Sequence, residues 1–293
     1  MGDRLVRYPH ETDIEIFRES LSYSAAETGF TVSLIEKDYY CSLVLGHIFS
    51  GKTELVFKGG TSFSKVHLDF YRLSEDLDLI IPVSNNTTKS KRKNKIDPVK
   101  SLFAELTETI LGISVSAALT GHNQSRQYIG TIQYESAVLD KFEYIKIEIG
   151  LREPLIQDYE KKPARTIAVN PFNQLSLVPE FPVQVMNVKE AFAEKIRAAL
   201  TRRKPAIRDF YDLNLAVDSK KIDLFDPDFL KMVKIKLMVP GNDKINISKE
   251  KRVELDHQLE TQLKPVLRMH DYDKFNLDHA YQIVEEIATK IQC

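Results

Sequence analysis

Asp76 and Asp78 stand two residues apart in Ser74-Glu75-Asp76-Leu77-Asp78-Leu79-Ile80-Ile81. On a strand, that spacing points both carboxylates to one face. Two carboxylates a few ångströms apart repel, and both stay ionised at low cost only with a cation between them. The hard cation suited to carboxylate and phosphate oxygens is Mg²⁺. Upstream, Lys58-Gly59-Gly60-Thr61-Ser62 is a glycine turn that opens a predicted helix. Glycines let the backbone approach a phosphate closely, and a helix N-terminus favours anions. A phosphate cradle beside a metal-binding pair implies phosphoryl or nucleotidyl transfer.

Two-metal chemistry of that kind calls for a third carboxylate, which bridges a metal and helps deprotonate the attacking hydroxyl. Glu148 is the best candidate, because it alternates with isoleucines in Phe142–Ile149. A salt bridge to Lys146, two residues away on the same face, is the competing use. Lys195 is the next singular residue. With Val188 as phase origin, Val188, Phe192, Ile196 and Ala199 mark the inward stripe of a helix, and Lys195 and Arg202 fall inside it. Cations on such a stripe need an anion. It is either a nucleotide triphosphate or an internal partner such as Asp209 or Asp212. Arg208 and Asp212 are also spaced to pair on a helix. Lys89-Ser-Lys-Arg-Lys-Asn-Lys95 is either a solvated loop or a contact for an RNA backbone. Tyr71 and Arg72 either stack on a base or, for the tyrosine, pack in the core.

The elements that must position these residues follow from periodicity. Helices are predicted over 11–28 and from Ser33, with Ser33 and Glu36 forming a capping box. Asp38 falls on the apolar stripe of the second. A strand over Glu54–Phe57 leads into the glycine turn, and the carboxylate strand runs from Asp76 to Ile81, where Pro82 ends it. Residues 84–96 read as an exposed, mobile loop, with a helix from Pro98 to Leu111. Strands are expected at Ile113–Ala118, Tyr128–Tyr134, Phe142–Ile149 and Arg165–Val169, with Pro179 and Pro182 punctuating the return. From Val188 the pattern is helical: 188–203, 206–217, 226–237, 248–264 and 276–291. That order predicts an α+β fold with a mixed sheet and flanking helices over 1–185, followed by a helical domain over 186–293.

Composition narrows the class. The chain has 293 residues, 43% hydrophobic and 28% charged, which suits a soluble protein with a core that folds without disulfides. Its two cysteines, Cys41 and Cys293, fit a reducing cytosol. A net charge of −1 gives no global attraction to nucleic acid, so any such contact is local. The first ten residues lack a signal-peptide core, and Val6 stands where a myristoylation signal needs Ser or Thr. No apolar run reaches membrane-spanning length. The histidines show no zinc-ligand spacing, and neither a nucleophile elbow nor a Walker loop occurs.

Taken together, Ile35-Glu36-Lys37-Asp38-Tyr39-Tyr40, the glycine turn, Ser74-Glu75-Asp76-Leu77-Asp78, Glu194-Lys195-Ile196-Arg197-Ala198-Ala199-Leu200 and Arg208-Asp209-Phe210-Tyr211-Asp212-Leu213 resemble the AbiEii/AbiGii nucleotidyltransferase toxins. The resemblance spans residues 33 to 215. It implies a DNA polymerase β-like nucleotidyltransferase fold, use of an NTP with Mg²⁺, and a toxin–antitoxin or phage-defence setting with a cognate antitoxin. Some relatives look like enzymes that add nucleotides to the 3′ acceptor end of tRNA, which would block aminoacylation and translation. By that likeness Gly59, Gly60, Thr61 and Ser62 hold phosphates and Asp76 and Asp78 bind metal. Lys195, with Arg202, meets the triphosphate, Asp209 is a late functional acid, and Glu148 fits the third-acid position less sharply. The rival readings are a silent nucleotide- or partner-binding module and an enzyme that modifies a protein or small molecule.

Overall fold

The computed structural model describes residues 8–292. Cys293 and the N-terminal residues through Val6 and Arg7, with the readings placed on them, lie outside the described residues. The chain divides into two compact units: Met1–Pro154 with Tyr159–Val185, and Leu155–Asp158 with Met186–Cys293.

The first unit runs α1 (Pro9–Thr12), α2 (Ile14–Thr28), α3 (Val32–Ser50), β1 (Val56–Lys58), α4 (Gly59–Ser62), β2 (Leu77–Ile80), α5 (Lys89–Thr109), β3 (Ile113–His122), β4 (Gln127–Glu135), β5 (Phe142–Gly150), β6 (Glu160–Ala164) and β7 (Phe181–Val185). The strands form one mixed seven-stranded sheet in the order β3-β4-β5-β2-β1-β7-β6. Strand β1 lies antiparallel to β2 and parallel to β7, while β2 lies parallel to β5. On β5 the alternation read from the sequence holds: Ile145, Ile147 and Ile149 are fully buried, and the residues between them face outward.

Several predicted elements differ in the structure. Residues 89–95 are not a loop but the first turns of α5. The Thr88 hydroxyl accepts from the Lys91 N–H and starts the helix. The Arg92 guanidinium is buried and donates to the carbonyls of Thr87 and Gln124, which fixes those turns to the unit. The predicted strand at Arg165–Val169 is a loop with a single isolated bridge, Val169 to Ser176. The strands lie either side of it, at β6 and β7, where Pro163 faces Pro182. Two prolines in the ladder masked those strands, since proline cannot donate to it. The capping box at Ser33 does not form: the helix N-cap is Thr31. Glu36 instead points into the core, where its carboxylate accepts from the Ser136 hydroxyl and the Ala137 N–H.

Asp38 explains why a charged residue falls on an apolar stripe. It is 3% exposed and pairs with the fully buried Lys65 ammonium at 2.5 Å. Its second oxygen accepts from the Thr166 hydroxyl at 2.7 Å and the Ile167 N–H at 3.0 Å. Lys65 also donates to the Ser42 hydroxyl and the Asp38 carbonyl. One buried ion pair therefore ties α3 to the helix that follows the glycine turn and to the 165–169 loop.

The second unit is helical: α6 (Val188–Thr201), α7 (Ile207–Asp218), α8 (Pro227–Leu237), α9 (Lys249–Asp256), α10 (Met269–Lys274) and α11 (Leu277–Gln292). The predicted helix 248–264 stops at Asp256 and continues as a wide turn over Leu259–Leu263. Glu190, Glu194 and Lys236 form a buried ion cluster that joins α6 to α8. Among the described residues of both units, no helix is long and apolar enough to cross a membrane.

Candidate active site

The site is built on three adjacent strands. Asp78 of β2 stands opposite Lys58 of β1 and opposite Glu148 of β5. Paired residues of adjacent strands share a face, so Lys58, Asp78 and Glu148 form one row across the sheet. Asp76 sits in the bend just before β2, not on the strand itself, because pairing begins at Leu77. That bend is pinned from two sides. The Thr61 hydroxyl donates to the Asp76 carbonyl, and Lys37 of α3 pairs with Glu75 at 3.3 Å.

Electrostatics show that the acids share one region. Burial alone would lower the Lys146 pKa, yet the bonded Glu148 carboxylate and the charges of Asp76 and Asp78 hold it above the ordinary lysine value. Burial would raise the Glu148 pKa, but Lys146, Gln127 and the charge of Lys58 bring it below the usual carboxylate range. Glu148 uses both oxygens: one accepts from Lys146 at 2.9 Å, the other from Gln127 at 2.7 Å. The salt bridge to Lys146 therefore does form. Among the described residues, no group of three or more His, Cys, Asp or Glu side chains closes into a metal-ligand cluster. Thus Asp76, Asp78 and Glu148 share one charged region without forming a ready-made ligand cage.

The glycine turn abuts these acids. Gly59 has φ +77°, a conformation other residues adopt at a cost, and a Cβ there would lie 2.3 Å from Asp78 Oδ2. Only glycine fits. At Gly60 a Cβ would meet the Arg72 guanidinium at 2.6 Å. The helix that starts at Gly59 passes into a wide turn ending at His67. Thr61 and Ser62 are buried, and their hydroxyls serve the carbonyls of Asp76 and Gly59. Any phosphate contact here falls to backbone N–H groups, since the hydroxyls are already used. Gly59→Ala is expected to lower nucleotidyl transfer at least about tenfold and to cost about 1–2 kcal/mol of stability, through positive φ and displacement of Asp78. Steady-state rates and urea unfolding check it; wild-type values in both would show that the close approach is immaterial.

Tyr71 and Arg72 do not present a stacking surface. Both are buried, and Arg72 donates to the Leu73 carbonyl.

The second unit gathers the late motif residues. Lys195 of α6 lies 2.7 Å from Asp209 Oδ1 and 2.9 Å from Asp212 Oδ2 of α7. Arg202 reaches Asp209 Oδ2 at 3.0 Å. Helix α6 ends at Thr201, so Arg202 is its C-cap in extended conformation, and its side chain is 53% exposed. It is not on the buried stripe that helical spacing predicted. Burial would raise the Asp209 pKa, but Lys195 and Arg202 hold it below the usual carboxylate value. Of the two uses open to Lys195, the internal pairing is present.

The EKD segment of α3 carries more of the site than its sequence pattern revealed. Lys37 holds the approach to β2, and Asp38 holds Lys65 behind the glycine turn. The available signal was the run of charged residues on an otherwise apolar helix.

The family model for "Nucleotidyl transferase AbiEii toxin, Type IV TA system" matches residues 45–283. The chain belongs to this family. It is thus a nucleotidyltransferase of a toxin–antitoxin system, and the family implies an antitoxin partner. Two solved structures share its fold. A candidate nucleotidyltransferase from H. pylori is 14% identical, with TM-score 0.51, over 89% of this chain and 96% of that one. The JHP933 protein of Helicobacter pylori is 14% identical, with TM-score 0.50, over 89% of this chain and 93% of that one. Comparison with curated proteins gave no match.

Proposed function

We propose that this AbiEii-family chain transfers a nucleoside monophosphate from an NTP to the 3′-hydroxyl of an RNA, with tRNA as the acceptor, and so blocks translation. The observation that supports this most is the row Lys58–Asp78–Glu148 across three strands, set against the Gly59 backbone. The Asp76 and Asp78 donors are hard oxygens, which fit Mg²⁺ shared with phosphate oxygens. When bound there, the ion would offset charge on the phosphates.

The chain's own residues supply the rest. The Gly59–Ser62 backbone binds phosphate, and the missing Cβ at Gly59 leaves room for the Asp78 carboxylate beside it. In this reading Glu148, whose carboxyl the neighbouring Lys146 brings below the usual range, accepts the proton of the attacking hydroxyl. Lys195 and Arg202 meet the triphosphate in this reading, and Asp209, which pairs with both cations, is the late functional acid. A Lys195→Met variant that raises KM for NTP supports that role, whereas one that only lowers stability assigns the cluster to folding.

The test is incubation with total tRNA and NTP labelled at the α- or the γ-phosphate. The α-label is expected in RNA, Mg²⁺-dependent and lost on ribonuclease treatment, while the γ-label leaves as pyrophosphate. Label that survives ribonuclease identifies a protein or small-molecule acceptor. No turnover with any acceptor identifies a silent binding module. Either result overturns the proposal.

A further inference from the structure

The face that carries Asp78 and Glu148 continues along β5. Phe142, Tyr144, Lys146 and Glu148 alternate with the buried Ile145 and Ile147, so they stand together on the outer face. Phe142 is 54% exposed and Tyr144 is 49% exposed. Their cross-strand neighbours on β4 are Glu135 and Gln133, and Thr131 stands opposite Lys146. Neither ring stacks on another ring or takes a side-chain hydrogen bond among the described residues. The fold has no need of them there, since the isoleucines already fill the core side of the strand. At about 3.3–3.4 Å per residue, Tyr144 stands roughly 13 Å from Glu148 along the strand, and Phe142 roughly 20 Å.

We propose that Phe142 and Tyr144 form a stacking platform for the unpaired bases of a single-stranded RNA 3′ end as it runs toward the acids. This rests on the nucleotidyl-transfer reading above. The chemistry favours RNA over a protein partner. The core of a protein interface is depleted in charged residues, but here the two rings are set among Gln133, Thr131, Glu135 and Lys146. Aromatic rings on an open strand face, with amide and hydroxyl groups beside them, suit base stacking and base-edge hydrogen bonds. Lys146 stands between the rings and the acids; it is paired with Glu148 at 2.9 Å yet 45% exposed, so a phosphate of the backbone can also reach it. Duplex RNA does not fit, because its bases are already stacked on one another.

The test uses Phe142→Ala, Tyr144→Ala and Tyr144→Phe in the full chain. Binding of a short fluorescent oligoribonucleotide is measured without NTP, as a single strand and as a duplex. Each alanine variant is expected to weaken single-strand binding by about 5- to 100-fold, the loss of one stacked base. Tyr144→Phe keeps wild-type affinity, and the duplex binds weakly to every form. In transfer assays KM for RNA rises and KM for NTP does not. Unchanged melting temperatures confirm intact folding of these surface variants. Single-strand affinity that is unchanged in both alanine variants overturns the platform, as does duplex binding as tight as single-strand binding. The two readings fail separately. Ring-dependent single-strand binding without RNA labelling sinks the transfer reading alone, and RNA labelling with unchanged KM in the alanine variants sinks the platform alone.

Discussion

Asp78→Asn lowers nucleotidyl transfer by on the order of 10²–10³-fold or more, the loss that follows removal of one preorganised charge-stabilising group. The side chain keeps its size and its place against Gly59, so the backbone approach survives. Stability stays within about 1 kcal/mol of wild type, because the change keeps the side chain's size and leaves no new cavity. The Lys146 pKa falls toward its ordinary value, since Asp78 is one of the charges that raise it. Radiolabel transfer, urea unfolding and titration of the Lys146 amine read the three effects. An Asp78→Asn enzyme with wild-type turnover would remove this carboxylate from the chemistry.

Lys65→Met is expected to cost about 3–5 kcal/mol of unfolding free energy, the penalty for leaving a buried charge without its partner. Both partners are nearly inaccessible, at 0% and 3% side-chain exposure, so solvent cannot take over from the ammonium. The Thr166 hydroxyl and Ile167 N–H would still serve one Asp38 oxygen, but the other loses its 2.5 Å partner. Because Lys65 lies on the helix after the glycine turn, the damage reaches the site as well as the fold. Urea unfolding measures it, and a change below about 1 kcal/mol, the range of exposed pairs, would mean that the pair is solvated.

The placement of the acids on the strands was among the most legible parts of the sequence. Asp78 and Glu148 fall in one row because strand alternation is a rigid geometric rule, whereas Asp76, read as the start of the strand, lies in the bend before it. The long C-terminal helices were equally plain, because their apolar stripes repeat over several turns. Lysine-rich residues 89–95 were misread because composition speaks for solvation, while the deciding facts were a Thr88 cap and two carbonyls awaiting Arg92. Strands β6 and β7 hid behind Pro163 and Pro182, which are tolerated because each faces the other. Glu36 and Asp38 carried a visible sign, charge on an apolar face, but their partners lie far along the chain, at Ser136 and Thr166. Periodicity reports which face is buried and is silent on what meets it there. The same limit left Lys195 undecided between an outside anion and Asp209 with Asp212.

The most direct measurement is the intact mass of cellular tRNA 3′ ends after expression of the wild-type chain and of Asp78→Asn. Wild type should add whole nucleotide units to the acceptor end, and the variant should leave the ends unextended. Identical 3′ ends in both, with growth arrested only by the wild type, would contradict nucleotidyl transfer to tRNA as the toxin's action.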